Sequence, residues 1–72
     1  IEYDPEFVDA HYNLAVTYYA LGDDQMAESE YCVVLKARPK DVDALNNLAV
    51  IYLKRHKLRK AKLLLERALA ID

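Results

Sequence analysis

Glycine occurs once in this chain, proline twice and cysteine once. So few turn formers in a sequence that is 54% apolar argue against disorder and against a turn-rich all-β fold. Cys32 stands alone, which excludes an intrachain disulfide and a cysteine cluster for zinc. A lone thiol suits a reducing compartment, and the chain is read as cytoplasmic. No run of 18 or more apolar residues and no signal-peptide pattern is present, so no membrane partner is expected. Seventy-two residues make one small domain at most, with a core hiding only about 60% of the unfolded surface.

What is present is a repeat. Displaced by 34 residues, Pro5 falls on Pro39, Val8-Asp9-Ala10 on Val42-Asp43-Ala44, and Asn13-Leu14-Ala15-Val16 on Asn47-Leu48-Ala49-Val50. Tyr18 meets Tyr52, Ala27 meets Ala61 and Leu35 meets Leu69, without a gap. A fixed period marks stacked units, none of which buries its apolar face alone. Such an architecture favours an extended binding surface over a catalytic pocket. The net charge of −2 hides an asymmetry: residues 1–36 carry −7 and residues 37–72 carry +5.

Periodicity predicts four helices, at about 6–21, 25–37, 42–55 and 58–71. Asp4, Asp23 or Asp24, and Asp41 are the expected caps, Gly22 the left-handed stop of the first helix, and Pro39 the end of the second. On the first helix Val8, His11, Ala15 and Tyr18 share one face, and Leu14, Tyr18 and Leu21 another. The third turns Val42, Leu45, Leu48, Ala49 and Tyr52 inward, and the fourth Leu58, Ala61, Leu65 and Ala68. Loops of two to four residues make neighbouring helices antiparallel.

The first copy reads His11-x2-Leu14-Ala15-x2-Tyr18…Ala27-x3-Tyr31…Pro39, and the second Leu45-x2-Leu48-Ala49-x2-Tyr52…Ala61-x3-Leu65. These residues resemble the tetratricopeptide repeat, a helix–turn–helix unit of about 34 residues. The resemblance implies an all-α fold of tandem antiparallel helix-turn-helix hairpins in a right-handed superhelix. Residues 1–5 then read as the tail of a preceding repeat helix, 6–39 as the first repeat and 40–72 as the second. The chain looks cut at a repeat boundary from a longer array. Small residues at Ala15, Ala27, Ala49 and Ala61 suit close helix approach. Two positions depart from the pattern. His56 replaces the turn glycine, and Asp24 stands where the second copy has Leu58, so the first turn is expected to be looser.

In this family the first helices of successive repeats line a concave groove. The resemblance assigns that peptide groove to Asp9, Tyr12, Asn13, Val16, Tyr19 and Ala20, and to Asp43, Asn46, Asn47, Val50, Leu53 and Lys54. Asn13 and Asn47 offer a donor and an acceptor at one register, able to grip an extended backbone. The pattern is similar to the asparagine ladder in the repeat superhelix of O-linked N-acetylglucosamine transferases. The alternative is local bonding between helices. The lysines that clamp a terminal carboxylate in some repeats are replaced by Asp9, Tyr12, Asp43 and Asn46. The two aspartates favour a basic ligand.

The run Lys54-Arg55-His56-Lys57-Leu58-Arg59-Lys60-Ala61-Lys62 is the densest in charge. It lacks the interleaved aromatics that stack bases, so it argues against nucleic acid and reads as a solvated face or a contact for an acidic neighbour. His11 reads as a packed imidazole and Cys32 as an inert small hydrophobe. No catalytic, cofactor or metal residues are read from the sequence, and the chain is not expected to be an enzyme. The leading expectation is a scaffold holding a protein or peptide partner. One alternative is a self-association module forming homo-oligomers by stacking through Leu63, Leu64, Leu69 and Ile71. Another is the substrate-recruiting arm of a glycosyltransferase.

Overall fold

The computed structural model describes residues 4–71. Four helices follow one another: α1 (Pro5–Ala20), α2 (Asp24–Ala37), α3 (Val42–Lys54) and α4 (Leu58–Ile71). The described residues hold no strand, and the all-α, helix-hairpin reading is what the chain adopts. Two compact units divide between Pro39 and Lys40. In the first, α1 packs on α2; in the second, α3 packs on α4. Ile1 and Tyr3, read as part of a preceding helix, lie outside the described residues, whereas Pro5 belongs to α1.

Three of the four helices begin on an aspartate. The Glu6 amide donates to Asp4 at 2.8 Å, the Met26 amide to Asp23 at 3.1 Å, and the Ala44 amide to Asp41 at 3.1 Å. Each carboxylate satisfies an amide that has no partner within its helix and lies at the positive end of the helix dipole. Asp23 is the cap of α2, and Asp24 is its first helical residue.

The units close over small residues. Ala15 and Ala27 in the first, and Ala49 and Ala61 in the second, are all 0% exposed. A larger side chain there would force the helices apart. Around these contacts lie Val8, Tyr31 and Val34 in the first unit, and Leu45, Leu48, Ile51 and Tyr52 in the second. Full burial of each Leu, Ile or Val is worth about 1.5–3 kcal/mol.

Several inward assignments are corrected. Leu14 on α1 and Leu21 at its C-terminal cap are exposed, as are Leu58 and Leu65 on α4. The buried stripe of α4 is Ala61, Leu64 and Ala68, spaced i, i+3, i+7. It tips towards Leu64, so Leu65, about 100° further round the helix, faces outward. Leu64 is therefore 8% exposed and is not part of an open stacking face. Cys32 is also exposed, not packed as a small hydrophobe.

Both turns use one backbone. In the first, the Gly22 amide donates to Tyr19 O at 3.0 Å and the Asp23 amide to Tyr18 O at 2.9 Å. In the second, the His56 amide donates to Leu53 O at 3.1 Å and the Lys57 amide to Tyr52 O at 2.8 Å. This paired closure needs a left-handed residue at its centre. Gly22 supplies it at φ 83°, with nothing within 4 Å of where its Cβ would stand, so conformation and not space selects glycine. His56 takes the same place at φ 60°, so the second turn accepts the strain and does not turn differently. For a residue bearing a Cβ this costs about 1–2 kcal/mol. His56→Gly should raise stability by about 0.5–1 kcal/mol after glycine's own entropy cost, while Gly22→Ala should lower it by about 1 kcal/mol. Urea midpoints of the two variants against the parent chain check both signs.

Candidate functional site

The groove residues expected from the sequence lie along α1 and α3. On α1, Asp9, Asn13, Val16, Tyr19 and Ala20 are exposed, and Tyr12 is half-buried. On α3, Asp43, Asn46, Val50, Leu53 and Lys54 are exposed, and Asn47 is half-buried. Spacings of three and four residues put each set on one side of its helix. Val16, Val50 and Leu53 keep more than two-fifths of their surface open, an apolar content unusual for the solvent side of a helix.

Asp9 and Tyr12 have work inside their own unit. Asp9 Oδ1 accepts from Arg38 Nη1 at 2.8 Å, and Arg38 Nη2 also donates to the Pro5 carbonyl at 3.2 Å. Arg38 thereby ties the end of α2 to the start of α1. The basic-ligand expectation is weakened at Asp9, whose charge is already matched. Asp43 has no ion pair among the described residues. Tyr12 packs edge-on against Tyr31 of α2, with ring centroids 5.8 Å apart. Edge-to-face pairs of this kind add about 0.5–1.5 kcal/mol beyond buried area.

The second unit lacks that aromatic pair, and a hollow lies there. Its volume is about 260 Å³, and Val42, Asn46, Leu65, Ala68 and Leu69 line it. Displaced by the repeat period, Asn46 corresponds to Tyr12 and Leu65 to Tyr31. Two smaller side chains thus border the hollow where the first unit has two rings. It can take one apolar side chain, with the Asn46 amide at its edge to donate or accept a hydrogen bond.

A side-chain pair escaped the sequence reading. His11 Nδ1 lies 2.6 Å from Glu30 Oε1, with side-chain exposures of 21% and 13%. The Phe7 ring stands edge-on to the imidazole, with centroids 4.4 Å apart. The signal was available in the spacing: Ala15 and Ala27 mark the close approach, and one helical turn outward from each leads to His11 and Glu30. His11 is thus a packed imidazole that clasps α1 to α2. Among the described residues no group of three or more His, Cys, Asp or Glu could hold a metal ion.

Of the residues proposed for stacking, Leu63 and Leu69 are exposed by 62% and 77% and Ile71 by 39%. Among the described residues no helix is long and apolar enough to cross a membrane.

Two short helical hairpins, each closed over alanine and repeated in sequence at a fixed period, define a helical-repeat protein. The chain matches the tetratricopeptide repeat family over residues 1–29 and again over 33–62, and it belongs to that family. Repeats of this family mediate protein–protein interaction. No curated protein matches the chain significantly.

The His11–Glu30 contact carries a measurable share of the first unit's stability. Glu30→Ala should destabilise by about 1–2 kcal/mol, because it leaves a half-buried imidazole without its partner. Glu66→Ala, at an exposed glutamate of α4, is the control for loss of a carboxylate alone. Thermal unfolding of the two variants side by side checks the difference.

Proposed function

We propose that the chain is a non-catalytic scaffold segment that holds an extended stretch of a partner protein along the exposed sides of α1 and α3. The observation that carries this reading is the apolar content of those sides: Val16 and Tyr19 on α1, Val50 and Leu53 on α3. Asn13 and Asn47 supply amides at one register for the partner's backbone, and the hollow beside Asn46 accepts one of its apolar side chains. Backbone recognition by amides reads little sequence, so specificity falls to the hollow and to neighbouring charges. Asp43 and Lys54 stand at opposite ends of the α3 side.

Asn13→Ala and Asn47→Ala together should weaken binding of a peptide selected against the chain by about tenfold or more. Each neutral hydrogen bond contributes about 0.5–1.5 kcal/mol. Amide-shift titration of the double variant, with circular dichroism to show that the helices persist, measures the effect. Shifts confined to α2 and α4 would sink the proposal.

A second reading rests on Leu63 and Leu69, two strongly exposed leucines of α4. They suit self-association through α4, to which burial of apolar surface contributes about 25 cal/mol per Å² before ordering costs. Leu63→Lys with Leu69→Lys should return the chain to monomer in sedimentation equilibrium at high concentration. A parent chain already monomeric under those conditions removes this second reading.

A further inference from the structure

The two turns share their backbone hydrogen bonds and oppose each other in chemistry. Gly22-Asp23-Asp24 in the first corresponds to His56-Lys57-Leu58 in the second. Each change is unfavourable for folding. A non-glycine residue replaces the glycine at positive φ. A lysine, which has no acceptor, replaces the capping carboxylate: the Ala61 amide donates to Lys57 O at 3.1 Å, as the Ala27 amide does to Asp23 O, so Lys57 holds the capping position. An exposed leucine replaces an acid, and the first turn of α4 has no acidic residue. Lys57, Arg59 and Lys60 then set positive charge against the positive end of the helix dipole. The first turn shows that the same backbone is available without these costs. Departures from local rules gathered at one place are where function is expected to override stability.

The cations are also at the surface. Lys54, Arg55, Arg59, Lys60 and Lys62 are exposed, and no carboxylate occurs between residues 54 and 62. Lys60 leans over the Tyr52 ring at 5.5 Å, but Lys57, Arg59 and Lys62 make no ion pair among the described residues. Leu53 and Leu58 stand open at the same end of the hairpin, by 46% and 62%. We infer that this turn is a second interaction surface, which takes an acidic segment of a partner protein carrying an apolar residue among its carboxylates. The inference rests on the chain's reading as a protein-binding repeat, and its surface shares only Leu53 and Lys54 with the α3 side. Charge complementarity selects an acidic occupant, and the two leucines select one with apolar side chains. The absence of interleaved aromatics removes the stacking platform that single-stranded nucleic acid uses. A second copy of the chain fits less well, because five of its acids are occupied locally: Asp4, Asp23 and Asp41 cap helices, Asp9 pairs with Arg38 and Glu30 with His11.

The test uses the full chain and a capped dodecapeptide of four Glu-Glu-Leu repeats. Amide shifts should move at residues 54–62, and affinity should fall about tenfold or more between low salt and about 0.3 M, where screening shortens to a few ångströms. Lys57→Glu with Arg59→Glu should weaken binding at least about tenfold, while Asn13→Ala with Asn47→Ala leaves it unchanged. Lys57→Asp should both weaken binding and raise Tm by several degrees, since it restores the cap that the other three helices have. A loss of binding caused by misfolding would lower Tm instead. The inference is overturned if the peptide moves no amide at 54–62 or if charge reversal leaves affinity intact. It is equally overturned if a thymidine oligonucleotide or phosphatidylserine vesicles bind these residues tenfold more tightly than the peptide. Dilution shifts at 54–62 without peptide would assign the surface to a second copy. If a peptide selected for the α1 and α3 sides binds normally while this turn stays silent, only this inference fails.

Discussion

In each unit two helices meet over alanine, and the rest of the structure depends on that contact. Ala15 and Ala27, like Ala49 and Ala61, have no exposed surface. With no side chain beyond Cβ, the helices approach closely enough for Val8 and Val34, or Leu45 and Leu48, to be sealed from water. The same approach fixes which residues one helical turn away can touch. His11 reaches Glu30 and Tyr12 reaches Tyr31 because the helices are held at that distance. These side chains reinforce a contact that the alanines permit.

The turns show a second constraint acting on two different sequences. A helix that reverses in three residues must satisfy its last carbonyls at once, and both turns do so with the same pair of amide donations. Glycine meets the requirement for positive φ without strain. Histidine meets it at a cost that the packing of α3 against α4 outweighs. The six buried residues of α3, against two on α1, show where the second unit finds that margin. A sequence can therefore hold an unfavourable turn where burial elsewhere is ample, and the side chains of that turn are then free to serve another purpose.

Much of this was legible in the residues. The period of 34, the aspartate caps and the glycine placed four helices within one or two residues of their ends, because caps and stops act on their own chain neighbours. The alanine positions were legible as well, since they recur at one register. The stripes on α4 were less so. A leucine every few residues allows more than one apolar face, and Leu64 and Leu65 differ by a single position. Only the rotation of α4 against α3 decides that Leu64 is covered and Leu65 is not. The same holds for Leu14 and Leu21, apolar residues at helical spacing that α1 leaves open.

By itself the sequence determined the kind of object this is: helices from their period and caps, hairpins from their short connections, and membership in the tetratricopeptide repeat family from motif residues at fixed spacing. These are local or periodic properties, read from residues a few positions apart. The tertiary structure alone decided which side chains find each other across a hairpin. Arg38 on Asp9, Glu30 on His11, and a hollow where Asn46 and Leu65 correspond to two tyrosines all join residues 19 or more positions apart. Such pairings depend on the angle and distance at which two helices pack, and those follow from the whole set of buried contacts, not from any one stretch of chain.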